Sequence, residues 1–300
     1  TEDRDVDWTV SVEDGTVGVV SHYVRGDNYD ADNPNEADRV EKSTRVVETL
    51  VDYLGNRGVD VVVNEGSKNA VGTKNLSTDN LVEVADAVVT VGGDGTILRT
   101  VREMSDPVPV LGINTGRVGF LAGVPPDEAL DEVERLVDGY EVERRSRLNV
   151  DIDDVRVPPA LNEAVVVTSE PAKIMEFDLY HGGELVESVR SDGVIGATPT
   201  GSTAYSMSAG GPLVHPEVDA RLVVPLSPFR MTKAPWVLKD DAETTVVPTR
   251  SSREATVVVD GVDVAEVGDG DEVKLSKADK DALFVRTNRS FFGKVQEKLS

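Results

Sequence analysis

The first 140 residues alternate short apolar runs with segments of helical spacing. Four apolar runs predict buried strands, at 16–20, 59–63, 87–91 and 108–112. Apolar residues recur at helical spacing in 38–54 and 127–138, and a further helix is predicted to begin at Gly95. Alternation of strands and helices predicts a parallel sheet whose carboxyl edge carries the ligand.

After about residue 141 the pattern changes to alternating apolar and polar positions, separated by Gly, Pro and Asp-Gly turns. Eight segments predict strands, at 163–168, 174–180, 185–190, 222–226, 244–247, 255–259, 272–275 and 282–286. Helical periodicity is confined to 203–210 and 290–299. We therefore predict an α/β parallel-sheet domain over 1–140 and an all-β domain, a sandwich, over 141–300. The segment near 288–300 is a candidate to pack back on the first domain.

Composition narrows the class of protein. The chain has 300 residues and no cysteine, which leaves no disulfide, thiol nucleophile or thiolate metal site. No run approaches the eighteen or more apolar residues of a membrane span. The expected location is the cytoplasm.

The chain is strongly acidic, with a formal net charge of −24. An acidic surface argues against nucleic acid and against anionic membranes as partners. The acids are scattered through the whole chain, with no acidic tail. Such a distribution fits a protein that works at very high salt, where charge repulsion is screened. We therefore expect a halophilic source.

A glycine-rich turn with one carboxylate follows the predicted strand 87–91. It reads Gly92-Gly93-Asp94-Gly95 and leads into a predicted helix. Its backbone amides and the helix start suit a phosphate group. A carboxylate there repels an anion, but it can accept the proton of a hydroxyl that attacks phosphorus. The alternative is an ordinary tight turn in which Asp94 caps the helix.

A second glycine-rich loop, 112–121, follows the next predicted strand. It contains Asn114 and Arg117, and the guanidinium is available to bind phosphate at the same sheet edge. A flexible hinge between the two domains is the alternative.

Two segments of the β domain carry candidate nucleotide contacts. Asn162 and Glu163 open a strand and are suited to hold vicinal ribose hydroxyls. The segment 190–212 contains a hydroxyl-rich turn, Thr-Pro-Thr-Gly-Ser-Thr, which suits a nucleoside or diphosphate. Asp260-Gly261 predicts a β-hairpin turn.

Taken in order, these motifs resemble those of NAD kinases over about residues 85–262. The resemblance implies phosphorylation of the adenosine-ribose 2′-hydroxyl of NAD, giving NADP, with ATP and a divalent metal, Mg²⁺ by preference. It also implies that Asp94 is the general base. Candidate phosphate contacts are Gly92 and Gly93 of the first turn and Asn114 and Arg117 of the second loop. The implied contacts to NAD are Asp94, Gly95, Asn162, Glu163, Lys173, Arg190, Asp192, Thr203, Ala204, Tyr205, Ser206, Met207 and Ser208.

The sequence departs from the family pattern after the late Asp-Gly, where Val262 stands in place of the Gln of many members. Polyphosphate is an alternative phosphoryl donor. The metal ligands are not assigned, and a homo-oligomer is expected. Two other functions stay open: a lipid or other small-molecule kinase that shares only the glycine–aspartate turn, and a non-catalytic NAD-binding protein.

Overall fold

The computed structural model describes residues 11–12, 15–21, 34–65, 73–116, 119–170, 173–229, 234–250 and 253–299, the side chains of 34–36 excepted. The chain forms two compact units, which are described separately. The first comprises 1–144 and 282–300, and the second comprises 145–281.

A seven-stranded sheet forms the centre of the first unit. Its strands are β1 (Thr16–Ser21), β2 (Asp60–Asn64), β3 (Lys74–Leu76), β4 (Ala87–Gly92), β5 (Val110–Asn114), β6 (Val142–Arg145) and β19 (Ala282–Val285). The order across the sheet is β3-β2-β1-β4-β5-β19-β6. The pairs from β3 to β19 are parallel, as the alternation of strands and helices predicted.

The first unit also contains helices. They are α1 (Pro34–Asn56), α2 (Thr78–Val84), α3 (Asp94–Arg102), α4 (Ala129–Asp138) and α6 (Phe291–Leu299), and a short 3-10 helix, Pro126–Glu128, precedes α4. Apolar residues of α1 and α4 share one core with alternate residues of β1, β4 and β5. On the other face, α2 approaches Gly18 and α3 approaches Gly112 so closely that a Cβ at either glycine would meet a helix side chain within 2.6 Å.

The strand predicted at 282–286 lies in the parallel sheet of the first unit, although its pattern grouped it with the β domain. Phe284 pairs with Val110 of β5, and Ala282, Phe284 and Val285 of β19 are buried. A four-residue apolar strand carries no information about the sheet it joins, because the pattern records only that its side chains are buried.

The second unit contains two six-stranded antiparallel sheets. The strands of the first sheet, in spatial order, are β11 (Glu184–Ser191), β10 (Met175–His181), β15 (Thr244–Thr249), β18 (Val273–Lys277), β7 (Leu148–Ile152) and β8 (Val155–Ala160). Those of the second are β14 (Trp236–Lys239), β13 (Ala220–Leu226), β12 (Gly193–Ala197), β9 (Glu163–Thr168), β16 (Ala255–Val259) and β17 (Val262–Val267).

The two sheets pack face to face as a β-sandwich. One apolar core joins Phe177 and Leu275 of the first sheet to Val166 and Val257 of the second. Alternation along the strands places every second side chain in this core. A short 3-10 helix, Thr200–Thr203, and the single helical turn α5 (Tyr205–Ser208) follow β12. Within the described part of the chain, no helix is long and apolar enough to cross a bilayer.

Candidate active site

Asp94 lies at the carboxyl edge of the parallel sheet. β4 ends at Gly92, which pairs with Asn114 at the end of β5. Gly93 occupies the N-cap position of α3, so Asp94 is the first residue of the helix and not its cap. The alternative that Asp94 merely caps the helix therefore does not describe this turn.

The Asp94 carboxylate is held by three consecutive backbone amides. Oδ2 accepts from Phe120 N at 2.9 Å, while Oδ1 accepts from Leu121 N at 3.2 Å and Ala122 N at 2.8 Å. Gly119 passes so close that a Cβ there would lie 1.7 Å from Oδ1. The second loop therefore fixes the orientation of the carboxylate, and it needs glycine at 119 to do so.

Asn114 holds the same loop together and is buried. Its Nδ2 donates to the carbonyl of Ala122 at 3.1 Å, and its Oδ1 accepts from Gly116 N at 2.7 Å. Among the described residues, a Cβ built on Gly93 or Gly95 would meet nothing within 4 Å, so they leave space beside the glycine turn. The predicted phosphate contact Arg117 lies outside the described residues.

In the second unit, Asn162 and Glu163 lie at the start of β9 and are both 8% exposed. Asp260, at the end of β16, organises their backbone. Its Oδ2 accepts from Leu161 N at 2.7 Å, and its Oδ1 accepts from the amides of Asn162 at 2.9 Å and Glu163 at 3.1 Å. The sequence predicted only a hairpin turn at Asp260; the signal for this second role is an acid that ends a buried strand.

Burial makes Glu163 an unusual acid. Desolvation, reinforced by the neighbouring charge of Asp260, raises the pKa of Glu163 to about 8, while a hydrogen bond from the backbone of Tyr205 acts in the opposite direction. Among the described residues, Glu163 Oε2 has no hydrogen-bond partner. Burial also raises the pKa of Asp260, against the three amides that stabilise its charge. The pair thus leaves one buried polar oxygen available at the start of β9.

The hydroxyl-rich turn packs directly on this strand start. Thr198 N donates to the carbonyl of Asn162 at 2.9 Å, and Thr198 Oγ1 donates to that of Leu161 at 2.7 Å. A Cβ on Gly201 would lie 2.1 Å from the Asn162 carbonyl oxygen. The hydroxyl of Ser206 is buried and has no partner within the described part of the chain.

The other predicted contacts, at the end of this turn and in α5, differ in exposure. Thr203, Ala204 and Met207 are half-buried, whereas Tyr205 and Ser208 are exposed. The structure thus brings Asn162 and Glu163 together with the 198–208 turn.

Three predicted contacts lie away from this strand start: Asp192 just precedes β12, Arg190 lies on β11 of the other sheet, and Lys173 lies between β9 and β10. Glu163 pairs with Ala197, whereas Gly193, next to Asp192, pairs with Val167. That separation is four residues along the strands, or about 13 Å. Arg190 is exposed and stacks over Phe229, with its guanidinium carbon 5.0 Å from the ring centroid. Lys173 is also exposed, and this unit does not gather the three residues around Glu163.

The described residues contain no group of three or more His, Cys, Asp or Glu side chains arranged to hold a metal ion. They are compatible with an ion carried on substrate phosphates, because Mg²⁺ uses one or two carboxylates and otherwise keeps phosphate and water ligands.

Comparison with known proteins gives matches along most of the chain. A family model described as the ATP-NAD kinase N-terminal domain matches residues 31–141, and one described as the ATP-NAD kinase C-terminal domain matches 161–287. An NAD kinase of Methanosarcina barkeri is 38% identical over 265 residues, which cover 88% of this chain and 96% of the relative. One of Methanothermobacter thermautotrophicus is 41% identical over 263 residues, covering 87% and 93%.

Two solved structures have the same fold. The crystal structure of an NAD kinase from Archaeoglobus fulgidus in complex with ATP aligns with a TM-score of 0.73 and 31% identity, covering 94% of this chain and 98% of that one. The yeast NADH kinase complexed with NADH aligns with a TM-score of 0.81 and 21% identity, covering 95% and 87%.

Proposed function

The chain belongs to the NAD kinase family, and on that premise we propose that Asp94 is the general base of its reaction. NAD kinases transfer a phosphoryl group from ATP to NAD. In our proposal the acceptor is the 2′-hydroxyl of the adenosine ribose. Asp94 accepts its proton as that oxygen attacks the terminal phosphorus, and ADP leaves.

The observation that carries this role is the way the carboxylate is held. An ionised carboxylate offers about four acceptor sites, and backbone amides take three of those of Asp94. Two of the three bonds fall on Oδ1 and one on Oδ2, so Oδ2 keeps a site for a substrate hydroxyl. The fixed orientation supplies the positioning on which phosphoryl transfer depends.

Asn162 and Glu163 are proposed to hold the adenosine ribose. The protonated Glu163 carboxyl can both donate to and accept from a ribose hydroxyl, and its buried Oε2 lacks a partner among the described residues. A buried polar atom without a partner is costly, and a bound hydroxyl would supply one. The unpartnered hydroxyl of Ser206 supports a contact from the 203–208 turn in the same way.

The charged residues at the far end of β12 are proposed to contact NAD at a distance from the ribose. Arg190 and Lys173 are exposed cations, suited to the dinucleotide's phosphates, and the half-buried Asp192 follows two residues after Arg190. Asn114 and Arg117, in the second glycine-rich loop, keep their proposed role at the phosphate site.

We further propose ATP as the donor, with Mg²⁺ carried on its phosphates. The metal would neutralise phosphate charge in the reaction. The single carboxylate at the glycine turn and the absence of a metal-binding cluster in the described ranges are in keeping with that arrangement. Polyphosphate is the alternative donor, and it would carry Mg²⁺ in the same way.

A homo-oligomer in a saline cytoplasm is the proposed setting. Edge strands β11 and β14 expose Leu185, Trp236 and Val237, and nearby Phe229 is 62% exposed. Exposed apolar side chains grouped near sheet edges favour a protein interface. The scattered acidic charge favours high salt.

The acceptor is tested with two analogues of NAD that lack either the 2′- or the 3′-hydroxyl of the adenosine ribose. With γ-labelled ATP, Mg²⁺ and molar KCl, we expect label transfer to NAD and to the 3′-deoxy analogue but not to the 2′-deoxy analogue. Transfer to the 2′-deoxy analogue at the rate seen with NAD would contradict the proposal. Binding of both analogues, measured by calorimetry, separates a lost acceptor from lost affinity.

A further inference from the structure

The C-terminal helix α6 places a lysine against the 119–122 turn, whose backbone amides hold the Asp94 carboxylate. Lys294 Nζ donates to the carbonyl oxygen of Phe120 at 3.2 Å. The same side chain passes over Gly123, where a Cβ would lie 2.7 Å from Lys294 Cε and 2.9 Å from Nζ. Any larger residue at position 123 would displace the ammonium, so the loop makes room for it.

Further contacts fix α6 in this position. Lys298, one helical turn after Lys294, places Nζ 4.3 Å from the centroid of the Phe120 ring. Arg289, just before the helix, bonds Glu128 at 2.8 Å and Glu297 at 3.3 Å. The helix start is therefore tied to the 3-10 helix that precedes α4, and its lysines converge on one residue of the turn.

One peptide group connects the ammonium to the carboxylate. The carbonyl of Phe120 and the amide of Leu121 belong to the same peptide unit. Lys294 Nζ donates to the oxygen of this peptide, and the N–H of the same peptide donates to Asp94 Oδ1 at 3.2 Å. A cation on the oxygen polarises the peptide and makes its N–H a stronger donor, because hydrogen bonds in a chain reinforce one another.

We propose that Lys294 is a positioning residue for phosphoryl transfer, which holds the Phe120–Leu121 peptide against the carboxylate of Asp94. The inference rests on the proposed role of Asp94. Lys294 acts through the peptide and needs no contact with either substrate. Without it the turn loses one of its anchors, and the carboxylate is oriented less tightly for the acceptor hydroxyl.

The first test compares kcat with the KM for NAD. Lys294→Met is expected to lower kcat about three- to ten-fold, the range for one net hydrogen bond, and to leave the KM for NAD within about two-fold. Lys294→Arg, which keeps a charged donor, is expected to recover most of the loss. Lys42→Met is the matched control: Lys42 lies on α1, and its ion pair with Asp38 is exposed. It should behave as the wild type.

A second variant covers the case in which Lys294→Met does not fold. Gly123→Ala keeps the charge but crowds the ammonium, and we expect a smaller loss of kcat in the same direction. Gly55→Ala is its control, since a Cβ there meets no described residue within 4 Å. Wild-type kcat in both Lys294→Met and Gly123→Ala would overturn the inference.

A double-mutant cycle with Asp94→Asn separates the two proposals. If Lys294 acts through Asp94, its effect on the residual rate should shrink to less than about two-fold in the Asp94→Asn background. If Lys294→Met lowered the rate of Asp94→Asn by the same factor as it lowers that of the wild type, the inference would be overturned. If Asp94→Asn is inactive and Lys294→Met is fully active, the role of Lys294 is contradicted and the general-base role of Asp94 is not. If Asp94→Asn is fully active, both roles are contradicted.

Discussion

Glu163 and Asp260 are joined by two hydrogen bonds. Glu163 N donates to Asp260 Oδ1 at 3.1 Å, and Asp260 N donates to the carbonyl of Glu163 at 3.0 Å. The register of β9 and β16, in which Ala164 pairs with Val259, brings the two residues together. The hairpin end therefore sets the conformation of the strand start that is proposed to hold the ribose.

The first prediction follows from this pair. Asp260→Asn leaves one acceptor oxygen for three buried amides, so at least one amide loses its partner. We expect the free energy of unfolding to fall by about 1–3 kcal/mol, the cost of a buried unsatisfied group. Denaturant unfolding in molar KCl measures it. The exposed Asp263, three residues further along, gives the control Asp263→Asn, and equal stability of the two variants would argue against the role of Asp260.

The second prediction concerns the pH dependence of stability. The pKa of Glu163 is about 8 in the folded protein, against an ordinary value of 4.5. Between these values the folded state binds more protons than the unfolded state, so stability falls as pH rises, by at most about 1.4 kcal/mol per pH unit. Glu163→Gln removes this term. The unfolding free energy of the variant relative to wild type should therefore rise from pH 5 to pH 8 and then level off. A difference that does not change with pH would contradict the assignment.

The third prediction assigns the strand start to NAD. Asn162→Ala and Glu163→Ala should each weaken NAD binding about ten-fold, because each removes a hydrogen-bonding group proposed to hold a ribose hydroxyl. The KM for ATP should stay within about two-fold. Titration calorimetry with NAD measures the affinity directly. A change confined to ATP would show that the ribose lies elsewhere.

The sequence predicted where strands and helices lie better than it predicted which strands pair in a sheet. Apolar periodicity located the strand before Asp94 and the alternation of the β domain, because periodicity reports which face is buried. It assigned 282–286 to the wrong unit, since strand pairing depends on contacts far apart in sequence. Motifs located Asp94 and Asn162, whose neighbours along the chain are distinctive.

Two contacts had no such local signal. The sequence pattern did not reveal that Asp260 binds three amides about a hundred residues away, or that Lys294 reaches Phe120 across 174 positions. Both arise only when distant segments pack, so a pattern read along the chain cannot contain them. Long-range backbone contacts of this kind are what the structure adds to the candidate site.

The fourth prediction concerns the charge of −24. If the acidic surface is adapted to high salt, the midpoint temperature of thermal unfolding should rise as KCl is increased from about 0.1 M to about 1 M. Over this range the Debye length falls from about 10 Å to about 3 Å. Screening removes self-repulsion that opposes the folded state. Scanning calorimetry over this range tests it. A midpoint that stays constant or falls would contradict the halophilic proposal and would leave the assignment to the NAD kinase family unchanged.

The general-base role of Asp94 is tested most directly by the single-turnover rate of Asp94→Asn with NAD and Mg-ATP saturating. The amide keeps the size of the carboxylate and one acceptor oxygen, so it can still bind two of the three amides of the 119–122 turn, but it cannot take the proton. We therefore predict a rate lower by about 10²–10⁴-fold, with the Kd for NAD within a few-fold of the wild type. Asp86→Asn, at the residue just before β4 begins, is the control for the Asp-to-Asn change. A near-wild-type rate in Asp94→Asn would contradict the account and leave Asp94 as a group that only holds the 119–122 turn.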